Sequence, residues 1–167
     1  MAAGITLPKK LVCHAHWTKD RTKMSKSLQN IVDPFECLKT YSVDMIRFYL
    51  LLEGGILDDG DFSFITLDKR VNGDLCNHYG NLLSRCTSKL INPNQKYPNR
   101  PKEELVGISG LTTSLENLPG KVASHFEEVR LGKGLQEIFE VIRNCNVMFE
   151  NNAPWKLAKS GENEQLN

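Results

Sequence analysis

A stripe of apolar residues at helical spacing runs through residues 66–91 and limits the folds open to this chain. Leu67, Val71, Leu75, His78 or Tyr79, Leu82 and Leu90 follow one face, and Asn92-Pro93 ends the run. Residues three and four apart share a helix face, so the spacing predicts one long amphipathic helix. A second stripe, Leu135, Ile138, Phe139, Ile142, Cys145 and Phe149, predicts another helix that ends near Asn151. Between them, Val122, Phe126 and Val129 mark a helix over 118–130, with Gly132 and Gly134 read as interruptions. Helices of this kind are stable when packed on one another, so residues 66–167 read as a bundle. The bundle looks incomplete, because its apolar faces need a further partner.

The first 65 residues have a different character. Residues 11–18 carry β-branched and aromatic side chains and read as a strand, followed by a polar turn at Lys19-Asp20-Arg21-Thr22. On such a strand His14 and His16 share one side, but no third ligand for a metal lies nearby. Asp33-Pro34 is a helix start, with Asp as N-cap and Pro in the first turn; that helix ends near Tyr41. Ser42 caps a second helix with Met45, Phe48, Tyr49 and Leu52 on its buried face, stopped by Gly54-Gly55. Asp58, Asp59 and Asp61 around Gly60 do not have calcium-loop spacing and read as a solvated turn. Residues 94–110 read as an exposed connection and the tail from residue 160 as loose. The fold class expected is α+β: a small mixed region over 1–65, then a mainly α-helical bundle over 66–167.

Composition excludes several classes. At 40% hydrophobic and 25% charged, the 167 residues suit a globular chain and not a disordered one. The net charge of +1 sets up no global field, although Lys9, Lys10, Lys19, Arg21, Lys23 and Lys26 face one acid, Asp20, over residues 9–26. Cys13, Cys37, Cys76, Cys86 and Cys145 have no paired spacing, which points to reduced thiols and no zinc site. No apolar run is long enough to span a bilayer, and no signal peptide is expected.

Two constellations carry chemistry. Lys23-Met24-Ser25-Lys26-Ser27 offers ammonium groups and hydroxyls on what reads as an exposed loop. Such a loop can clamp a triphosphate, or it can be a solvated charged turn. Asn77, Asn81 and Arg85, four residues apart, share a helix stripe able to read base edges, unless they are simply an exposed face. Trp155, after Pro154, can stack on an unpaired base or plug the end of the bundle.

The letters of the first constellation match a known signature. Lys23 to Ser27, with His14-Ala15-His16-Trp17-Thr18 before and Leu28-Gln29-Asn30-Ile31-Val32-Asp33-Pro34 after, resembles the KMSKS region of class I aminoacyl-tRNA synthetases, in particular the methionyl-tRNA synthetases of bacterial or mitochondrial type. Asn77, Asn81 and Arg85, followed by Ala153-Pro154-Trp155, resemble that family's anticodon-reading helix and turn, in the same order. The resemblance implies a methionine–tRNA ligase using ATP with Mg2+ and methionine as substrates and tRNA(Met) as partner, monomeric and in the mitochondrial matrix, or cytoplasmic if bacterial. It implies that Lys23 and Lys26 stabilise ATP phosphates, with Met24, Ser25 and Ser27 completing the loop. It further implies that Asn81, Arg85 and Trp155 contact the CAU anticodon, with Asn77 orienting them.

The chain departs from the family in two places. It has no His-x-Gly-His signature, and none of His14, His16, His78 and His125 stands in that context. The chain therefore reads as the C-terminal portion of such an enzyme, inactive in aminoacylation by itself. Its alternatives are a tRNA-binding fragment without chemistry and an unstable truncation. Gln29 stands where the family commonly has glycine, which bears on loop mobility.

Overall fold

In the computed structural model, residues 4, 6–56, 58–96 and 109–160 are described. The fold is α+β, with strands β1 (Trp17–Lys19), β2 (Thr22–Lys23) and β3 (Gly60–Phe62) in the order β2-β1-β3. β1 and β2 are antiparallel, with Thr18 opposite Lys23; β1 and β3 are parallel, with Trp17 opposite Gly60. Asp20 and Arg21 make the hairpin turn with φ of 53° and 58°. Positive φ at both central residues matches the right-handed twist of the strands.

Helix α1 (Pro34–Thr40) begins where expected, with the Asp33 carboxylate accepting from Phe35 N–H. In α2 (Val43–Glu53) the Ser42 hydroxyl accepts from Met45 N–H, and Gly54 ends the helix. The core joins Cys37, Tyr49, Phe62, Leu67 and Val71, with Trp17, Met24 and Met45 packed against it. Tyr49 and Leu67 are fully buried.

A helical rod follows: α3 (Phe64–Arg70), a π-wound stretch over Val71–Gly80, and α4 (Asn81–Cys86). Helices α5 (Ser109–Glu127) and α6 (Leu131–Asn152) pack on each other, and α6 also packs on α2 and the rod. Phe48 of α2 meets Phe139 of α6 at 5.2 Å between ring centroids. Asp74, nearly buried in the rod, lies 3.6 Å from Arg70 and 4.0 Å from Arg143 of α6. Paired charge at this depth avoids the cost of an isolated buried carboxylate.

Several expectations are corrected. The first strand covers only residues 17–19; ahead of it Ala15 N–H donates to Ile56 O at 3.1 Å and His16 O accepts from Gly60 N–H at 2.9 Å, but residues 11–16 are not strand. His14 and His16 thus lie off the strand. The acidic turn contains β3: Asp58 and Asp59 are exposed, while Gly60 and Phe62 are buried beside β1. The long helix runs over 64–86, starting at the Ser63 cap and ending where the Thr87 hydroxyl donates to Leu83 O. Leu90 therefore lies beyond it and is exposed. The helix placed at 118–130 is α5, which starts at Ser109, runs through Pro119 and ends at Glu127. Gly132 and Gly134 do not interrupt α6; they lie inside it at points of close approach. A Cβ on Gly132 would come within 2.9 Å of Leu52 O, and one on Gly134 within 2.5 Å of the Phe126 ring. Most of the connection over 94–110, and residues 161–167, lie outside the described residues.

These glycines allow a signed test. Gly120 in α5 has open space around it, so Gly120→Ala is expected to stabilise by about 0.5–1 kcal/mol through helix propensity. Gly132→Ala meets backbone carbonyls and is expected to destabilise by about 1–3 kcal/mol. Urea denaturation of both variants measures the two shifts.

Candidate functional site

β2 leads straight into the loop carrying Lys23, Met24, Ser25, Lys26 and Ser27. Met24 is half-buried and packs against the core, which fastens the loop from below. The Ser25 and Ser27 hydroxyls are 2.6 Å apart. Gln29 N–H donates to Lys26 O at 3.2 Å, closing a turn in which Gln29 has φ of 51°. The position where glycine was expected thus has a left-handed backbone, which costs a glutamine more than a glycine. Asn30 then crosses back: its carboxamide oxygen accepts from Ser25 N–H at 2.8 Å, and its nitrogen donates to Lys23 O at 3.1 Å. Lys23 and Lys26 are exposed, and their ammonium groups have no hydrogen-bond or ion-pair partner among the described residues. Two exposed ammonium groups on a braced loop can attract an anion.

The hairpin behind the loop is held by Asp61 of β3. Its Oδ1 accepts from the Thr18 hydroxyl at 2.6 Å and from Arg21 N–H at 2.7 Å. These two donors hold the Asp61 carboxyl below its ordinary value of 3.8. Sequence reading placed Asp61 in a solvated turn, because nothing local reveals a partner some forty residues away.

The second constellation comes together on α6. Arg85 donates to Asn146 Oδ1 at 3.2 Å and to Glu150 Oε1 at 3.0 Å, and its guanidinium lies 6.0 Å from the centre of the Phe149 ring. The Trp155 ring, on short helix α7 (Pro154–Ser160), lies 6.0 Å from the same Phe149 ring at an interplanar angle of 33°. Ala153, with φ of 42°, turns the chain so that α7 folds back. Arg85 and Trp155 therefore converge on one aromatic residue. Asn77 and Asn81 are exposed, and neither side chain has a bonding partner among the described residues. Asn77 is π-wound and Asn81 begins α4, so the stripe expected from uniform α-helical spacing passes through a change of winding.

Asn146 was missed by sequence reasoning. Its carboxamide also donates to His78 O at 3.0 Å, tying α6 to the π-wound stretch. A signal existed: Asn146 stands between Ile142 and Phe149 on a face otherwise apolar. The five cysteines are free thiols; burial pushes Cys37, Cys86 and Cys145 above the ordinary thiol value. Among the described residues no group of three or more His, Cys, Asp or Glu side chains could hold a metal ion, and no helix is long and apolar enough to cross a membrane.

Asp61 gives a pH prediction with a definite sign. A carboxyl with a depressed folded value contributes stability that is complete above its unfolded value and lost as pH falls through the folded one. Wild type is therefore expected to exceed Asp61→Asn in stability by a constant amount above about pH 5, and the gap is expected to close in acid below 3.8. Thermal melts of both proteins from about pH 2.5 to about pH 7, spanning the carboxylate range and the neutral plateau, read the gap directly.

Three comparisons bear on this geometry. The family model for tRNA synthetases class I (M) matches residues 1–87. The chain is 40% identical over 160 residues to a probable mitochondrial methionine–tRNA ligase of Dictyostelium discoideum, covering 94% of this chain and 28% of that protein. It is 39% identical over 169 residues to the mitochondrial methionine–tRNA ligase of Xenopus laevis, covering 98% of this chain and 30% of that protein. The structure is similar to Mycobacterium tuberculosis methionyl-tRNA synthetase bound by methionyl-adenylate, with a TM-score of 0.79 and 32% identity, covering 95% of this chain and 31% of that one. The chain thus spans less than a third of the length of these relatives.

Proposed function

This chain belongs to the class I tRNA synthetases (M), and from that premise we propose that it is a portion of a methionine–tRNA ligase that charges tRNA(Met) for mitochondrial translation. In this reading residues 1–65 end the catalytic part and carry the KMSKS loop and stem-contact region. Residues 66–167 form the anticodon-binding bundle. The observation that carries the reading is the loop itself, which turns Lys23 and Lys26 to solvent with no partner among the described residues.

In the intact enzyme the carboxylate of methionine displaces pyrophosphate from ATP, delivered with its Mg2+, and the methionyl group then passes to the tRNA 3′ end. Negative charge grows on the departing pyrophosphate. Ammonium groups ordered before the reaction stabilise that charge without reorganising. Lys23 and Lys26 take this role, Ser25 and Ser27 shape the loop and donate hydrogen bonds, and Met24 anchors it. The 167 residues include no His-x-Gly-His signature, so by themselves they are proposed not to aminoacylate. The mitochondrial matrix is the proposed compartment, following the two mitochondrial relatives. The similarity to a bacterial structure leaves cytoplasm as the alternative for a bacterial source. The chain is proposed to act as a monomer.

Arg85 and Trp155 are proposed to meet anticodon bases, with Asn81 contacting and Asn77 orienting. Their shared contact with Phe149 supports this, since an indole and a guanidinium are both groups on which an unpaired base can stack. It also favours a second reading, a tRNA-binding piece without chemistry, because this cluster is complete within the chain. Binding of the chain to a methionine tRNA with a CAU anticodon, compared with an altered anticodon, tests both readings. Trp155→Ala is expected to weaken CAU binding by about 1–3 kcal/mol and to remove the preference for CAU. Equal binding of every tRNA by wild type and variant would overturn the anticodon assignment.

A further inference from the structure

One side chain in the loop is not accounted for by the lysines and serines. Asn30 reaches back over the turn and bonds the main chain on both sides of Met24: it accepts from Ser25 N–H and donates to Lys23 O. The orientation of the carboxamide is forced, because the group facing an N–H must be the oxygen and the group facing a carbonyl must be the nitrogen. Asparagine supplies both functions at this reach; alanine supplies neither, and ionised aspartate only accepts.

We propose that Asn30 is a positioning residue, a clasp that holds the loop in the form in which Lys23 and Lys26 present their ammonium groups to a polyphosphate. The proposal rests on the reading of this loop as the ATP-phosphate site. Three contacts support it. Met24 pins the loop to the core. The Lys26–Gln29 turn, with Gln29 left-handed, brings Asn30 back across the strand end. The Asn30 carboxamide then fixes the main chain at Lys23 and Ser25. In this role Asn30 acts through the main chain of Lys23 and Ser25. Its effect is on the entropy of the loop: a loop ordered during folding loses less on binding, so the same two charges bind more tightly. The benefit grows with the number of phosphates that must be met at once, so a tripolyphosphate depends on the clasp more than a monophosphate does.

The test uses the full 167-residue chain with inorganic tripolyphosphate and orthophosphate as probes, titrated by NMR. Amide hydrogen exchange at Ser25 and the melting temperature are read alongside. Wild type is expected to prefer tripolyphosphate, and the Lys23→Ala/Lys26→Ala double variant to lose that preference. Asn30→Ala is expected to weaken tripolyphosphate on the order of tenfold, to leave orthophosphate nearly unchanged, and to unprotect the Ser25 amide with little change in melting. Asn30→Thr, whose hydroxyl both donates and accepts, is expected to recover part of the affinity and of the protection. Should Asn30→Ala fail to fold, an Asn30→Thr chain intermediate in both readouts supports the clasp, and one identical to wild type in both overturns it. Wild-type affinity in a folded Asn30→Ala, with loss in the lysine variant, overturns the clasp and leaves the phosphate reading standing. Absence of tripolyphosphate binding by wild type, or unchanged binding by the lysine variant, overturns the phosphate reading and the clasp with it.

Discussion

The hydroxyl of Tyr49 is the bond on which the arrangement depends. It donates to Asp61 O at 3.2 Å and accepts from Ser63 N–H at 3.0 Å, while the ring is fully buried among Trp17, Phe62 and the core aliphatics. These two backbone groups lie where β3 ends and α3 begins. A half-buried N–H and C=O left unpaired would cost up to about 1–3 kcal/mol, so the hydroxyl helps a strand end and a helix start lie together beside the core. Burial raises the Tyr49 phenol above its ordinary value of 10, so it stays protonated and keeps donating.

Through that bond α2 serves two sides. Tyr49 faces the small sheet, whose β1–β2 hairpin carries the lysine loop, and Asp61, whose own carbonyl takes the Tyr49 bond, braces the hairpin turn with its side chain. Phe48, one residue earlier and about 100° around the helix, faces Phe139 of α6. Further along α6, Asn146, Phe149 and Glu150 receive Arg85, and Phe149 receives Trp155. The two constellations are thus linked by packed aromatic rings and one continuous helix. Their relation is set by side chains of α2 and by the rod, which continues from β3 and bonds α6 through Asp74 and His78.

Much of the local structure was legible in the sequence because its causes are local. Asp33 and Ser42 are good caps in any context, and each caps its helix. Residues 23–27 were legible as an exposed loop, and Arg85 and Trp155, singled out in the sequence, both meet Phe149. Features with distant causes were not. β3 is written in an acidic stretch whose pairing with β1 shows only in three dimensions. Gly132 and Gly134 look like helix breakers until Leu52 and Phe126 are seen against them. Asn30 and Asp61 are ordinary polar residues in sequence; their roles come from main-chain groups they reach after the chain has turned. The π-winding that changes the register between Asn77 and Asn81 left no mark in the spacing of apolar residues.

Helix α2 couples the loop end of the molecule to the Arg85–Trp155 end. The chain offers a probe for each, since its two tryptophans are Trp17, beside the sheet, and Trp155, against Phe149. Denaturation followed by fluorescence in the single-tryptophan proteins Trp17→Phe and Trp155→Phe, each with and without Tyr49→Phe, measures the coupling. Removing the Tyr49 hydroxyl is predicted to lower the stability reported by both tryptophans equally, by about 1–3 kcal/mol. A loss confined to the Trp17 signal, with the Trp155 transition unmoved, would contradict the coupling and make the two ends separate units.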